Sequence, residues 1–137
     1  MEGLATELHS VAVQLLRSLR HSDQALGITP ARLSALSVLV FGGPRSLGDL
    51  AAAEQVSPPT MSRIVAALEQ AGLVERRPHS GDGRVVLLSP TARGRRSMRR
   101  GRRLRVRQLA RQLQSLPEPD LACLEQAVGI LRRTMPT

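Results

Sequence analysis

The chain predicts a mostly α-helical fold carrying one small β-hairpin, and three observations predict it. Apolar residues recur every three or four positions through most of the 137 residues. Only two short stretches read as strands, and they flank a connection rich in Gly and Asp. Helix-starting and helix-stopping groups, such as Thr29-Pro30 and Gly42-Gly43-Pro44, fall between the periodic segments.

Leu4, Leu8, Val11, Leu15 and Leu19, with Ala12 and Leu16 beside them, form the apolar stripe of a first helix ending near Gly27. A second helix starts after Thr29-Pro30, carries Leu33, Leu36, Val38, Leu39 and Val40, and stops at Gly42-Gly43-Pro44. A short helix over Leu47–Gln55 and a longer one over Pro58–Ala71 follow, with Gly72 at the C-terminal boundary. Leu73–Pro78 and Arg84–Ser89 are expected strands joined by His79-Ser80-Gly81-Asp82-Gly83. The pattern is helical again from Thr91 to about Leu116. Pro117 and Pro119 open a last helix with Leu121, Leu124, Val128 and Leu131. A short helix, a tight turn, a longer helix and a basic hairpin make a winged helix-turn-helix. The expected organisation is one structural domain with an N-terminal helix (1–28), a winged core (29–94) and a long Arg-rich helix plus a C-terminal helix (95–137).

Composition narrows the function. The formal net charge is +9 and all twenty basic residues are Arg against eleven acids, which points to a polyanionic partner. Phe41 is the sole aromatic, which argues against a base-stacking platform for single strands. No apolar run approaches the roughly 18 residues that span a bilayer. Glu2 and Glu7 stand where a signal peptide would be basic, so the chain reads as cytoplasmic. Cys123, being alone, forms no internal disulfide, and its neighbours Leu121 and Leu124 suggest burial or interface packing. His9, His21 and His79 lie in unrelated segments, so neither a metal site nor a cofactor is expected. No acid–base or nucleophile constellation marks an enzyme.

The candidate binding residues sit on the longer helix and the hairpin. Ser57 can cap the helix, with Pro58 suited to its first turn, although Thr60 leaves the capping box incomplete. Met61, Ile64, Val65 and Leu68 share the face that packs inward. Pro59, Arg63, Ala66 and Gln70 share the opposite face, with Ser62 at its edge. Small and polar groups near the N-terminus of that face suit end-on entry into a major groove, where Arg63 can fork onto a guanine edge or a phosphate. The alternative is an ordinary solvent-facing helix surface. Arg76, Arg77 and Arg84 give the hairpin a basic face able to probe a minor groove. Asp82 either orients Arg84 or satisfies turn amides.

Ten arginines crowd residues 93–111. Arg93, Arg95 and Arg96 lie just past the hairpin and could reach phosphate. The rest can coat a long helix, their stems covering apolar surface. A helix lying on a membrane is a third reading, weakened by the thin stripe of Met98, Val106, Leu109 and Leu113.

The stretch LGDLAAAEQVSPPTMSRIVAALEQAGLVERRPHSGDGRVVLLSPTARG resembles the core of the MarR family of bacterial regulators. The resemblance rests on Leu50-Ala51, Ser57, Thr60, Arg63, Leu68-Glu69, Gly72-Leu73-Val74, Arg76, Asp82-x-Arg84, Leu88, Thr91 and Gly94 in order. It covers about a third of the chain closely, and the ordered set is far more specific than any single motif. Pro90 departs from the Leu usual before the Thr-x-x-Gly segment. The resemblance implies a homodimer on double-stranded DNA, with Ser57, Pro59, Thr60, Ser62, Arg63, Arg76, Arg77, Asp82 and Arg84 at the interface. It also implies that the N- and C-terminal helices are dimerisation helices, and that the protein represses transcription, with repression often relieved by a small aromatic or anionic ligand, by oxidation or by metal. Such an effector is expected among Leu15, Leu19, Leu36 and Phe41 and arginines of the long helix. The competing function class is a winged-helix module that binds an acidic protein.

Overall fold

Hydroxyl side chains start four of the helices. Thr29 Oγ1 accepts from Arg32 N at 3.4 Å, Ser46 Oγ from Asp49 N at 3.1 Å, Ser57 Oγ from Thr60 N at 3.3 Å and Thr91 Oγ1 from Gly94 N at 3.0 Å. Each satisfies an amide that a helix N-terminus would otherwise leave unpaired. The computed structural model describes residues 1–24 and 26–134, with the side chains of 21–23 outside the description.

The elements are α1 (Glu2–Gln24), α2 (Pro30–Gly42), α3 (Leu47–Ala53), α4 (Pro58–Gln70), β1 (Val74–Pro78), β2 (Val86–Pro90), α5 (Ala92–Leu113) and α6 (Glu118–Thr134). Their order and type match the winged helix-turn-helix expected from periodicity. The chain divides into two compact units, residues 1–105 and 106–137.

In the first unit the core is built from Ala35, Leu36 and Leu39 of α2, Leu50 and Ala51 of α3, Met61, Val65 and Leu68 of α4, and Val74 and Leu88 of the hairpin. The i, i+4, i+7 spacing of Met61, Val65 and Leu68 turns one side of α4 inward. The turn between α3 and α4 places Gln55 at φ +55°, a left-handed conformation that glycine usually fills.

The hairpin is antiparallel, with Val74 opposite Pro90 and Pro78 opposite Val86. Its second strand starts two residues later than expected, at Val86 and not at Arg84, so the connection spans 79–85. Side chains of the connection bind its own backbone and compete with the ladder. A third segment, invisible to pattern, completes the sheet: Arg45 N donates to Leu88 O at 3.1 Å and Leu88 N donates to Arg45 O at 2.7 Å.

Pro90 leaves the strand-to-helix junction intact. Thr91 N donates to Leu73 O at 3.0 Å and the Thr91 hydroxyl donates to Gly72 O at 2.6 Å. α5 then packs on a ridge of Gly94, Met98 and Gly101, its buried residues. A Cβ at Gly94 would fall 2.2 Å from Leu73 O, so the helix comes this close only because Gly94 has no side chain.

In the second unit, Leu113 and the α6 residues Leu121, Leu124 and Val128 line one apolar groove. α6 buries no residue fully, and Leu124, Val128 and Ile130 are 41%, 48% and 53% exposed. Cys123 is exposed, so of burial and interface packing, the two places expected for it, burial within the chain is not what the structure shows. No helix among the described residues is long and apolar enough to cross a membrane.

Candidate nucleic-acid interface

The N-terminal half of α4 presents the face expected from its periodicity. Pro59, Thr60, Ser62, Arg63, Ala66 and Gln70 are exposed, while Met61, Val65 and Leu68 are buried. Ser57 Oγ donates to Thr60 Oγ1 at 2.9 Å while it caps the Thr60 amide, so these two residues hold each other at the helix entrance. The first turn carries no acid. Its free N–H groups and positive dipole end therefore remain attractive to phosphate. Among the described residues Arg63 has no ion-pair partner.

The wing arginines differ from one another. Arg76 Nε donates to Glu69 Oε1 at 2.8 Å, and its Nη2 approaches Glu69 Oε2 at 3.5 Å, which ties β1 to the end of α4. Arg77 pairs with Glu75 on its own strand. Arg84, at the tip, is exposed and has no ion pair among the described residues.

Asp82 acts on backbone. Its Oδ1 accepts from the Arg84 amide at 3.0 Å, and its carbonyl accepts from Val85 N at 3.1 Å. Of the two readings of Asp82, the structure shows the turn-forming one: it places the Arg84 backbone and makes no bond to the guanidinium. His79, read from sequence only as an isolated histidine, proves to organise the tip. Its Nδ1 accepts from Gly81 N at 2.9 Å and Asp82 N at 3.2 Å. Its place two residues before Gly81, at the start of a turn, is the signal that could have marked it.

The four residues expected around an effector separate. Leu36 is fully buried in the core and Leu19 is buried, Leu15 is half-buried, and Phe41 is 78% exposed. Leu36 and Phe41 are five residues apart on one helix, which sets them about 140° apart around the axis, on different faces of α2. A groove of about 600 Å³ does exist between α1, α2 and α5. Its lining includes Arg20, Leu33, Ser37, Phe41, Met98 and Arg105.

An outward polar face on a capped helix, followed by a hairpin with an unpaired arginine at its tip, defines a DNA-binding winged helix. Comparison with known proteins narrows the class. The sequence profile of the MarR family matches residues 26–85. The HTH-type transcriptional regulator MT0903.1 of Mycobacterium tuberculosis is 35% identical over 128 residues, covering 93% of this chain and 90% of that protein. The chain belongs to the MarR family of transcriptional regulators, whose members are DNA-binding proteins and not enzymes. It is also 28% identical over 94 residues to the HTH-type transcriptional repressor MdtR of Bacillus subtilis, covering 69% of this chain and 61% of MdtR. The fold superposes on a mutant MepR of S. aureus bound to an oligodeoxyribonucleotide with a TM-score of 0.75. That match has 16% identity and covers 97% of this chain and 98% of MepR.

Proposed function

We propose that the protein is a homodimeric repressor that binds an inverted-repeat operator, placing α4 in the major groove and the wing in the adjacent minor groove. The observation that carries this reading is the pair Arg63 and Arg84, both exposed and free of ion pairs among the described residues. One stands on the outer face of α4 and the other at the wing tip. The DNA-bound MepR and the repressor MdtR supply the analogy for duplex binding and for repression. Dimerisation accounts for apolar surface that one chain leaves open: Leu4, Val11 and Leu16 of α1 are 70%, 57% and 64% exposed, and α6 adds Leu124 and Val128.

Selection from random duplexes tests the proposal. The expected product is a palindrome with half-sites about 10 bp apart, bound with an affinity that falls steeply with salt. An asymmetric single half-site bound by a monomer overturns it, as does shallow salt dependence with no sequence preference.

If the repressor has a small-molecule effector, the groove between α1, α2 and α5 suits it. Leu33, Phe41 and Met98 supply apolar wall, and Arg20 and Arg105 supply charge. An aromatic carboxylate matches that mixture. A true effector raises the thermal stability of the free dimer and lowers its operator affinity together.

A further inference from the structure

The arginines of α5 are sorted by the helix. On one flank of the buried Gly94–Met98–Gly101 ridge stand Arg93, Arg96, Arg100 and Arg103, at i, i+3, i+7 and i+10; on the other stand Arg95, Arg99 and Arg102. The first flank borders a groove of about 460 Å³ whose floor is apolar, formed by Leu26, Ile28, Ala71 and Leu73. In sequence Arg93 and Arg96 read as candidate phosphate contacts and the others as a coat over a long helix, with a helix lying on a membrane as the third reading. Their placement beside a cavity is a tertiary fact.

Three features of the groove call for an anion. None of its four guanidinium groups pairs with a described carboxylate. The first turn of α5 carries no acid, and Arg93 stands there at the positive end of the helix dipole, where cations are disfavoured. Finally, Arg93 to Arg103 covers ten residues, or about 15 Å of helix, which exceeds the reach of a single phosphate. The operator is a poor candidate for the anion. Ala71 lies just past the C-terminal end of α4, and that helix is thirteen residues long. The groove is thus about 20 Å along the axis from the end of α4 that enters DNA.

We propose that this groove is a binding site for a small oligophosphate, a molecule with at least two linked phosphate groups held by Arg93, Arg96, Arg100 and Arg103. Planar guanidinium forks match phosphate oxygens bidentately, and four in a row match a chain of them. The apolar floor leaves room for an organic portion such as a nucleoside. A bound oligophosphate bridges α5 to the Leu26–Ile28 segment and to the end of α4. The site stands on cavity and charge, independently of the operator reading.

Calorimetric titration of the full-length protein tests it, with inorganic tripolyphosphate, ATP and inorganic monophosphate as probes. Tripolyphosphate is expected to bind at least about tenfold more tightly than monophosphate, because it engages several forks at once. The double variant Arg96→Gln/Arg100→Gln is expected to lose about tenfold or more of that affinity. Arg99→Gln/Arg102→Gln, which removes the same charge from the other flank, is expected to stay within about twofold. ATP binding more tightly than tripolyphosphate assigns the source as a nucleotide; equal binding assigns inorganic polyphosphate. Equal losses in the two double variants would reduce the effect to net charge and overturn the site, as would monophosphate binding as well as tripolyphosphate. Loss of operator affinity in Arg96→Gln/Arg100→Gln without any oligophosphate would make this flank a DNA contact and equally overturn it. Thermal unfolding of both variants confirms that these exposed substitutions leave the fold in place.

Discussion

Arg76 on β1 and Glu69 on α4 form a forked ion pair, with Nε to Oε1 at 2.8 Å, that joins the wing to the helix expected to read DNA. The two side chains are 45% and 30% exposed, so the pair contributes no more than about 1 kcal/mol to stability. Its larger role is geometric, since it holds the base of the wing against the end of α4. Arg76→Ala is therefore expected to change the unfolding free energy by less than about 1 kcal/mol. It should also weaken operator binding less than Arg84→Ala does. An Arg76→Ala loss equal to that of Arg84→Ala would show that Arg76 leaves Glu69 for phosphate.

Arg84→Ala is expected to weaken operator binding by about 1–3 kcal/mol in a normally folded protein, measured by fluorescence anisotropy. Arg63→Ala is expected to change sequence preference as well as affinity, because it lies on the outer face of α4. Equal weakening on all sequences would make Arg63 a phosphate contact.

His79 holds two backbone amides at the wing tip through one nitrogen. His79→Ala removes that acceptor and is expected to weaken operator binding by about 0.5–1.5 kcal/mol without altering sequence preference. His79→Asn restores a short acceptor suited to the same kind of turn and is expected to recover most of the loss. Failure of Asn where Ala also fails would mean that the ring itself contacts DNA.

Gly94→Ala places a methyl group 2.2 Å from the Leu73 carbonyl oxygen, a backbone atom that cannot swing aside. The expected loss of stability is about 1–3 kcal/mol or more, read from chemical denaturation. Gly48→Ala is the control: nothing lies within 4 Å of its added carbon, and it sits in a helix where Ala is favoured.

Gln55→Gly has the opposite sign. Gln55 sits at φ +55°, a conformation that strains a residue with a Cβ by about 1–2 kcal/mol. Glycine removes the strain but adds about 0.5–1 kcal/mol of unfolded-state entropy. The net expectation is a stabilisation of up to about 1.5 kcal/mol, seen as a raised denaturation midpoint.

What the sequence determined by itself is what depends on neighbours within one or two turns. The inward and outward faces of α4 follow from the 100° step of a helix, so Met61, Val65 and Leu68 could be told from Ser62 and Arg63 before any contact was known. The starts of α2 and α4 follow from Thr29-Pro30 and Ser57-Pro58, because a cap is a bond to an amide three residues away. Tertiary structure decided what depends on distant partners. Arg45 joins the sheet through Leu88, forty-three positions on, and no local pattern marks an isolated bridge. Arg76 is committed to Glu69 because β1 folds back along α4. α2 is apolar around much of its circumference, so periodicity alone could not say that Leu36 enters the core while Phe41 faces solvent. The ten arginines of residues 93–111 look alike in sequence. Only the packing of Gly94, Met98 and Gly101 against the core separates those beside the Leu26–Leu73 groove from those beside Phe41, because burying one ridge of a helix fixes where every other side chain points.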